Sequence, residues 1–233
     1  MVKPVCVVAG IGPGNGAAFA RRFAADGHAV ALLARKLDTS RELAAALPDA
    51  RAWACDVGDP GAVQRVFDEI RRDMGDPEVV IYNAGSGVFG GFDDVSAADF
   101  EASWRSNALG GFLVAKQVVP AMQRAGRGNF VFIGATASRR GAARTAAFAP
   151  AKAAQRSLAE AMAKALGPEG IHVSLIVIDG VVDLPRTRQR LPDKPDMFFV
   201  QPDDVAATAA FLVQQPRSAW TFELEARPFG ETW

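Results

Sequence analysis

Short runs of consecutive apolar residues alternate with longer stretches whose apolar positions return at helical spacing. The short runs are 5–9, 29–33, 52–55, 79–82, 130–133 and 171–178, most of them closed by Gly, Asn or Asp. A run at 221–226 makes a last strand, about seven in all. The helical stretches are 17–25, 41–47, 62–74, about 96–124 and 147–166, and the fourth is expected to break near Gly110 and Gly111. Strands that are apolar without a polar alternation are covered on both faces, as in a parallel sheet. Regular strand–helix alternation therefore predicts an α/β fold, a doubly wound parallel sheet with helices on both faces. The least regular stretch, 179–200, contains Pro185, Pro192 and Pro195 and is expected to be a flexible substrate loop or small lid. Pro202 then opens a helix with Asp203 and Asp204 in its first turn, where acids are favoured.

The length of 233 residues and 49% hydrophobic content suit one domain spanning 1–233. With 26 basic and 26 acidic residues, nothing electrostatic points to nucleic acid or an anionic membrane. No apolar run approaches the ~20 residues of a membrane span. The opening Met1-Val2-Lys3-Pro4 leads directly into a strand and lacks the pattern of a signal peptide. Cys6 and Cys55 lie in apolar strand-like segments and read as buried, reduced thiols, so a cytoplasmic location is expected. His28 and His172 each lead into a strand, and no Cys/His cluster has metal-ligand spacing.

Candidate chemistry begins after the first strand. Gly10, Gly12, Gly14 and Gly16, with Asn15 among them, form a glycine turn that opens a helix. Glycines let the backbone approach a pyrophosphate, and the helix N-terminus favours its charge. The second strand ends in Arg35-Lys36, two cations where an NAD site usually places an acid. This suits the 2′-phosphate of NADP better than NAD.

These features, with five more in order, resemble the short-chain dehydrogenase/reductase family across essentially the whole chain. Gly10, Gly14 and Gly16 match its glycine motif, and Asp56-Val57 its acid–aliphatic pair near the adenine. Asn83-Ala84-Gly85 looks like the element ending its fourth strand, and Asn107 like its structural and proton-relay asparagine. Lys152 matches the lysine that binds the nicotinamide ribose, and Gly180-Val181-Val182 the turn that holds the carboxamide. The resemblance implies a Rossmann-type sheet, a small-molecule substrate, and a homodimer or homotetramer built on helices 96–124 and 147–166. The stretch 220–225 is a candidate extension of that interface.

The departures fall at the chemistry. The family's catalytic tyrosine position holds Phe148, and its serine, thirteen positions earlier, is Ala135. Asp179 replaces the proline of the Pro-Gly turn, and Leu184 stands where a threonine is common. A lost general acid costs ~10²–10⁴-fold, or roughly 3–5 kcal/mol of barrier. A lost oxyanion donor costs a further ~3–4 kcal/mol. Catalytic candidates are therefore Lys152 and Asn107, with Thr136 and Asp179 as possible substitutes for the missing hydroxyls and Ser138 nearby. Asp179 has four other readings: a partner for Lys152, a grip on a cationic substrate, a turn cap, or a partner for a nearby Arg. Arg186, Arg188 and Arg190 either clamp an anion at the entrance or pair with Asp183 and Asp193. Arg139, Arg140 and Arg144 carry the same ambiguity. Phe148, Phe198, Phe199 and Trp220 are candidates for an apolar pocket or for core. The expected function is an NADP-dependent oxidoreductase with an altered proton source, acting on an activated C=C or C=N bond. The alternatives are an NADP-binding regulatory or scaffold protein and a non-redox enzyme on the same fold.

Overall fold

A computed structural model describes residues 3–85 and 87–230. Seven strands form one sheet: β1 (Val5–Ala9), β2 (Ala29–Ala34), β3 (Ala50–Ala54), β4 (Pro77–Tyr82), β5 (Gly128–Ala135), β6 (Ile171–Ile178) and, last in the chain, Glu223–Ala226, numbered β9 below. Their order is β3-β2-β1-β4-β5-β6-β9 and every neighbouring pair is parallel. Alternate residues of β1 enter opposite cores: Val5, Val7 and Ala9 one, Cys6 and Val8 the other. Two buried faces explain why these strands read as unbroken apolar runs.

Helices α1 (Asn15–Ala25), α2 (Asp38–Ala46) and α8 (Pro202–Val213) cover one face through Phe19, Phe23, Leu43 and Val205. Helices α3 (Pro60–Asp73), α5 (Gly110–Ala125) and α6 (Phe148–Leu166) cover the other through Phe67, Ile70, Val114, Val118 and Ala159. The chain runs outward from β1 to β3 and returns to β4, so order reverses between β1 and β4. The crevice above the carboxyl ends of those two strands is where such a fold binds ligands.

The helix expected to break at Gly110 and Gly111 does not break there. Helix α4 (Ala97–Trp104) passes through a widened π turn, Arg105–Leu109, straight into α5. The two glycines serve packing instead. A Cβ on Gly110 would lie 2.2 Å from Tyr82 Oη, and one on Gly111 2.7 Å from a Phe132 ring carbon. The final strand is shorter than expected, beginning at Glu223.

The irregular stretch contains folded elements of its own. β7 (Val181–Val182) pairs with β8 (Phe199–Val200), and α7 (Pro185–Arg190) lies between them. Arg188 fastens this segment internally, donating to both oxygens of Asp183 at 2.7 Å and to Asp196 at 2.7 Å. Its guanidinium also stacks 4.0 Å from the Phe199 ring centroid. The partner anticipated as Asp193 is thus Asp196, which the turn after α7 brings onto the same guanidinium.

No helix among the described residues is long and apolar enough to cross a membrane. Cys6 and Cys55 are both free and buried. Burial raises both thiols, Cys55 to about 11 with help from Asp56 and Asp59. The ends of the chain that carry Met1, Val2 and Trp233, and Ser86 in the loop 85–91, lie outside the described residues.

Candidate active site

The glycine turn sits at the crevice. Gly10 N and Ile11 N both donate to Leu33 O, at 2.9 and 3.0 Å, which locks the turn over β2. Asn83 fastens it from the other side, its Nδ2 donating to Gly10 O at 2.7 Å. Gly10 has φ +100°, and a Cβ there would lie 2.4 Å from Ala84 N. Gly16 is packed as closely, 2.6 Å from Gly10 O, whereas a Cβ on Gly12 would meet nothing within 4 Å. Gly14 lies against the segment between β7 and α7, its Cβ position 2.2 Å from Leu184 Cδ2. The first N–H groups of a helix have no partner within it, so the start of α1 is fit to receive phosphate. Asn15 adds a buried Oδ1 without a hydrogen-bond partner among the described residues, an acceptor a ribose hydroxyl could satisfy.

Beside this turn a cavity of about 340 Å³ is lined by Arg35, Asp56, Gly58, Asp59, Arg105 and Ser106, among others. Asp56 Oδ1 accepts from Gly58 N at 2.9 Å, which shapes the loop after β3. Val57 points into the core, where Gly110 leaves room for it. Arg35 and Lys36 are exposed, with Arg35 on the cavity wall. The pieces fit an adenosine phosphate: room, an acid, and a cation at the rim.

The other end of the crevice is drier. Lys152 is 6% exposed, and its Nζ donates to Ile133 O at 2.7 Å and Gln155 Oε1 at 3.1 Å. Burial lowers its pKa to about 7. Asn107, in the π turn, is fully buried and its Nδ2 donates to Ser103 O at 2.8 Å. A Cβ on Gly85 would lie 2.7 Å from Asn107 Oδ1 and 3.6 Å from Lys152 Nζ, so these groups meet at one point. Phe148 is half-buried, its ring 5.1 Å from that of Phe89 and its centroid 6.0 Å from Nζ.

The possible hydroxyl substitutes are otherwise engaged. Thr136 Oγ1 donates to Asp179 Oδ1, and Arg227 donates to Asp179 Oδ2. Arg140 approaches the same carboxylate at 3.6 Å. Burial raises the Asp179 pKa, but the bonds from Thr136 and Arg227 and the charges of Arg140 and Arg227 outweigh it, leaving the carboxyl below its ordinary range. Asp179 is thus an ionised anchor for the tail and holds no proton to give at neutral pH. Ser138 Oγ accepts from Ala135 N at 3.1 Å and closes a turn. Of the anticipated arginines, Arg139 is bound to Glu223 and Glu225.

Trp220 is not near this cleft. It stacks on His172 at 4.8 Å with planes 2° apart, at the opposite end of β6, because Gln215 O holds its Nε1. Phe199 is buried under Arg188, and Phe198 packs edge-on against it. Gln155 is the participant that sequence reading passed over. Its position three residues after Lys152 puts it on the same helix face, the one available signal.

The chain matches the short chain dehydrogenase family over residues 4–195. It belongs to that family. It is 30% identical over 220 residues to the 3-oxoacyl-[acyl-carrier-protein] reductase MabA of Mycobacterium tuberculosis, covering 91% of this chain and 86% of that protein. Among solved structures it is similar to an alcohol dehydrogenase of Thermococcus sibiricus complexed with 5-hydroxy-NADP, at TM-score 0.88 and 25% identity, with 98% of each chain covered. An NAD+-bound xylitol dehydrogenase aligns at TM-score 0.87 and 25% identity, over 97% of this chain and 98% of that one. The fold thus accommodates either dinucleotide.

Proposed function

We propose that this chain is an NADP(H)-dependent oxidoreductase that works without a tyrosine–serine pair. The observation that carries the reading is the contrast along one crevice. The glycine turn, Asp56, Asn83 and Lys152 are assembled as for a dinucleotide, while Phe148 and Ala135 are apolar and Thr136 and Asp179 occupy one another. Bound NADPH would supply the hydride. Gly10, Gly12, Gly14 and Gly16 hold its pyrophosphate, Asn15 meets a ribose hydroxyl, Asn83, Ala84 and Gly85 wall the cleft, and Gly180 and Val182 face the nicotinamide side.

A substrate that does not require a strong acid at the reacting atom fits best: an iminium, which carries its own charge, or an activated C=C bond. The paired rings of Phe89 and Phe148 favour a cation. Burial lowers the pKa of Lys152 to about 7, which weakens its charge and reduces repulsion. The protein acts as one domain, in the cytoplasm as its buried thiols suggest, with a second copy covering exposed Phe100, Trp104 and Phe112 of α4 and α5.

The test is deuteride transfer from NADPH labelled at the 4-position to a panel of cyclic imines and enones, after fluorescence titration of NADPH and NADH. Stereospecific transfer to any of them supports the reading. Binding without transfer favours a cofactor-dependent regulatory protein, a reading that the two missing hydroxyls support. Binding of neither dinucleotide defeats both.

The cavity wall at Arg35 makes a narrower prediction. Arg35→Ala should weaken NADPH binding roughly 10–100-fold, the worth of a charge-assisted phosphate contact, and leave NADH nearly unchanged. Equal losses for both dinucleotides would remove Arg35 as the selector.

A further inference from the structure

The amide of Gln155 is fully buried between two groups of the site. Its Nε2 donates to Asn107 O at 3.1 Å, and its Oε1 accepts from Lys152 Nζ at 3.1 Å. The polarity of this bridge is not arbitrary. A carbonyl can only accept, so Asn107 O takes the amide NH₂ and leaves the amide oxygen for the lysine.

The π turn explains why that carbonyl calls for a donor. Gly110 N reaches back to Arg105 O, five residues earlier, and a widened turn of this kind disturbs the usual carbonyl pairing. Three carbonyls in and before it take side-chain donors. Ser103 O accepts from Asn107 Nδ2, Ser106 O from Tyr82 Oη at 2.7 Å, and Asn107 O from Gln155. The backbone distortion thus orients Gln155, and Gln155 orients the lysine.

We propose that Gln155 is a positioning residue of the cleft, holding the protonated form of Lys152 and directing its remaining proton toward Gly85, the Asn107 amide and the Phe148 ring. Nζ as an ammonium has three protons. Ile133 O and Gln155 Oε1 take two, and the third faces the side where Gly85 lies 3.6 Å away by its Cβ position. The elements packed on Lys152 are β5, the π turn and the loop after β4. They face it with backbone and the Asn107 amide, Phe148 comes from α6 itself, and burial is the one resolved cause of the shift. Asp179 is bound to Thr136, Arg140 and Arg227. An uncharged acceptor therefore does the work that a carboxylate would otherwise do.

The role in the cleft rests on the reading of Lys152 as a cofactor-side residue, and the experiment separates the two. Protein labelled with [ε-¹³C]lysine is titrated by NMR, the Lys152 signal being assigned by its loss in Lys152→Met. Gln155→Leu removes the acceptor and should lower the Lys152 midpoint by about one pH unit, while Gln155→Glu should raise it by at least as much. An unchanged midpoint in Gln155→Leu, or in Gln155→Ala if Gln155→Leu does not fold, overturns the proposal, as does an unchanged midpoint in Gln155→Glu. NADPH is then added to the wild-type protein. If the Lys152 signal does not move, the cofactor-side reading fails, whatever the Gln155 variants show.

Discussion

Phe148→Tyr combined with Ala135→Ser is expected to raise NADPH-dependent reduction of simple aldehydes at least ~10²-fold, the lower end of what general acid catalysis contributes. The rest of the constellation is in place. Lys152 Nζ lies 6.0 Å from the Phe148 ring centroid, and Asn107 and Gly85 stand beside it. Ala135 ends β5 with φ −151° and ψ 168°, extended backbone that serine adopts without strain. The buried lysine would also favour ionisation of an introduced phenol when protonated. The two substitutions should be far from additive, because an acid and an oxyanion donor act on one transition state. Initial rates of the two single variants and the double variant, with a panel of aldehydes, check this. A double variant that binds NADPH as the wild type does and reduces none of them faster would show that the missing hydroxyls are not what bars carbonyl reduction.

Gly10→Ala is expected to cost on the order of 3–5 kcal/mol of stability and to abolish dinucleotide binding. At φ +100° a Cβ is strained, and it would meet Ala84 N at 2.4 Å and Ala84 Cα at 2.6 Å. Both contacts are backbone, so no side chain can swing aside. They also belong to the loop after β4, so relief of the clash would open the crevice at the point where the sheet order reverses. For a chain of this size the melting temperature should drop by roughly 10 °C. Gly12→Ala, with no atom within 4 Å, is the matched control and should cost under about 1 kcal/mol. Calorimetry on both variants, with NADPH titration of Gly10→Ala, tests the pair. Equal effects would mean that the glycines act through chain flexibility and not through the close approach of β1 to β4.

The sheet was legible because each strand is a local apolar run. Ile171–Ile178 was predictable to the residue, since all eight positions are buried and both ends carry clear stops. The helix through Arg105–Leu109 was not legible. Its glycines read as a break by local propensity, and only Tyr82, Val57 and Phe132 beneath them show that they permit close packing. The elements inside 179–200 were not legible for a similar reason: three prolines interrupt any periodicity, while Arg188 ties Asp183, Asp196 and the Phe199 ring into one unit.

Taken alone, the sequence determined the parallel α/β sheet, the glycine crevice and the absence of a hydroxyl at positions 148 and 135, because each is a property of residue type and spacing. Tertiary structure decided how the remaining polar groups are used. Asp179 meets Thr136 and Arg227 across 43 and 48 residues of chain, and Gln155 meets the Asn107 carbonyl across 48. Hydrogen bonds of that range depend on where folding brings distant side chains, and no local pattern encodes them. Lys152 is the junction of both kinds of information: its position is written in the sequence, while its burial and the direction of its protons follow from the packing of α6 against β5 and the π turn.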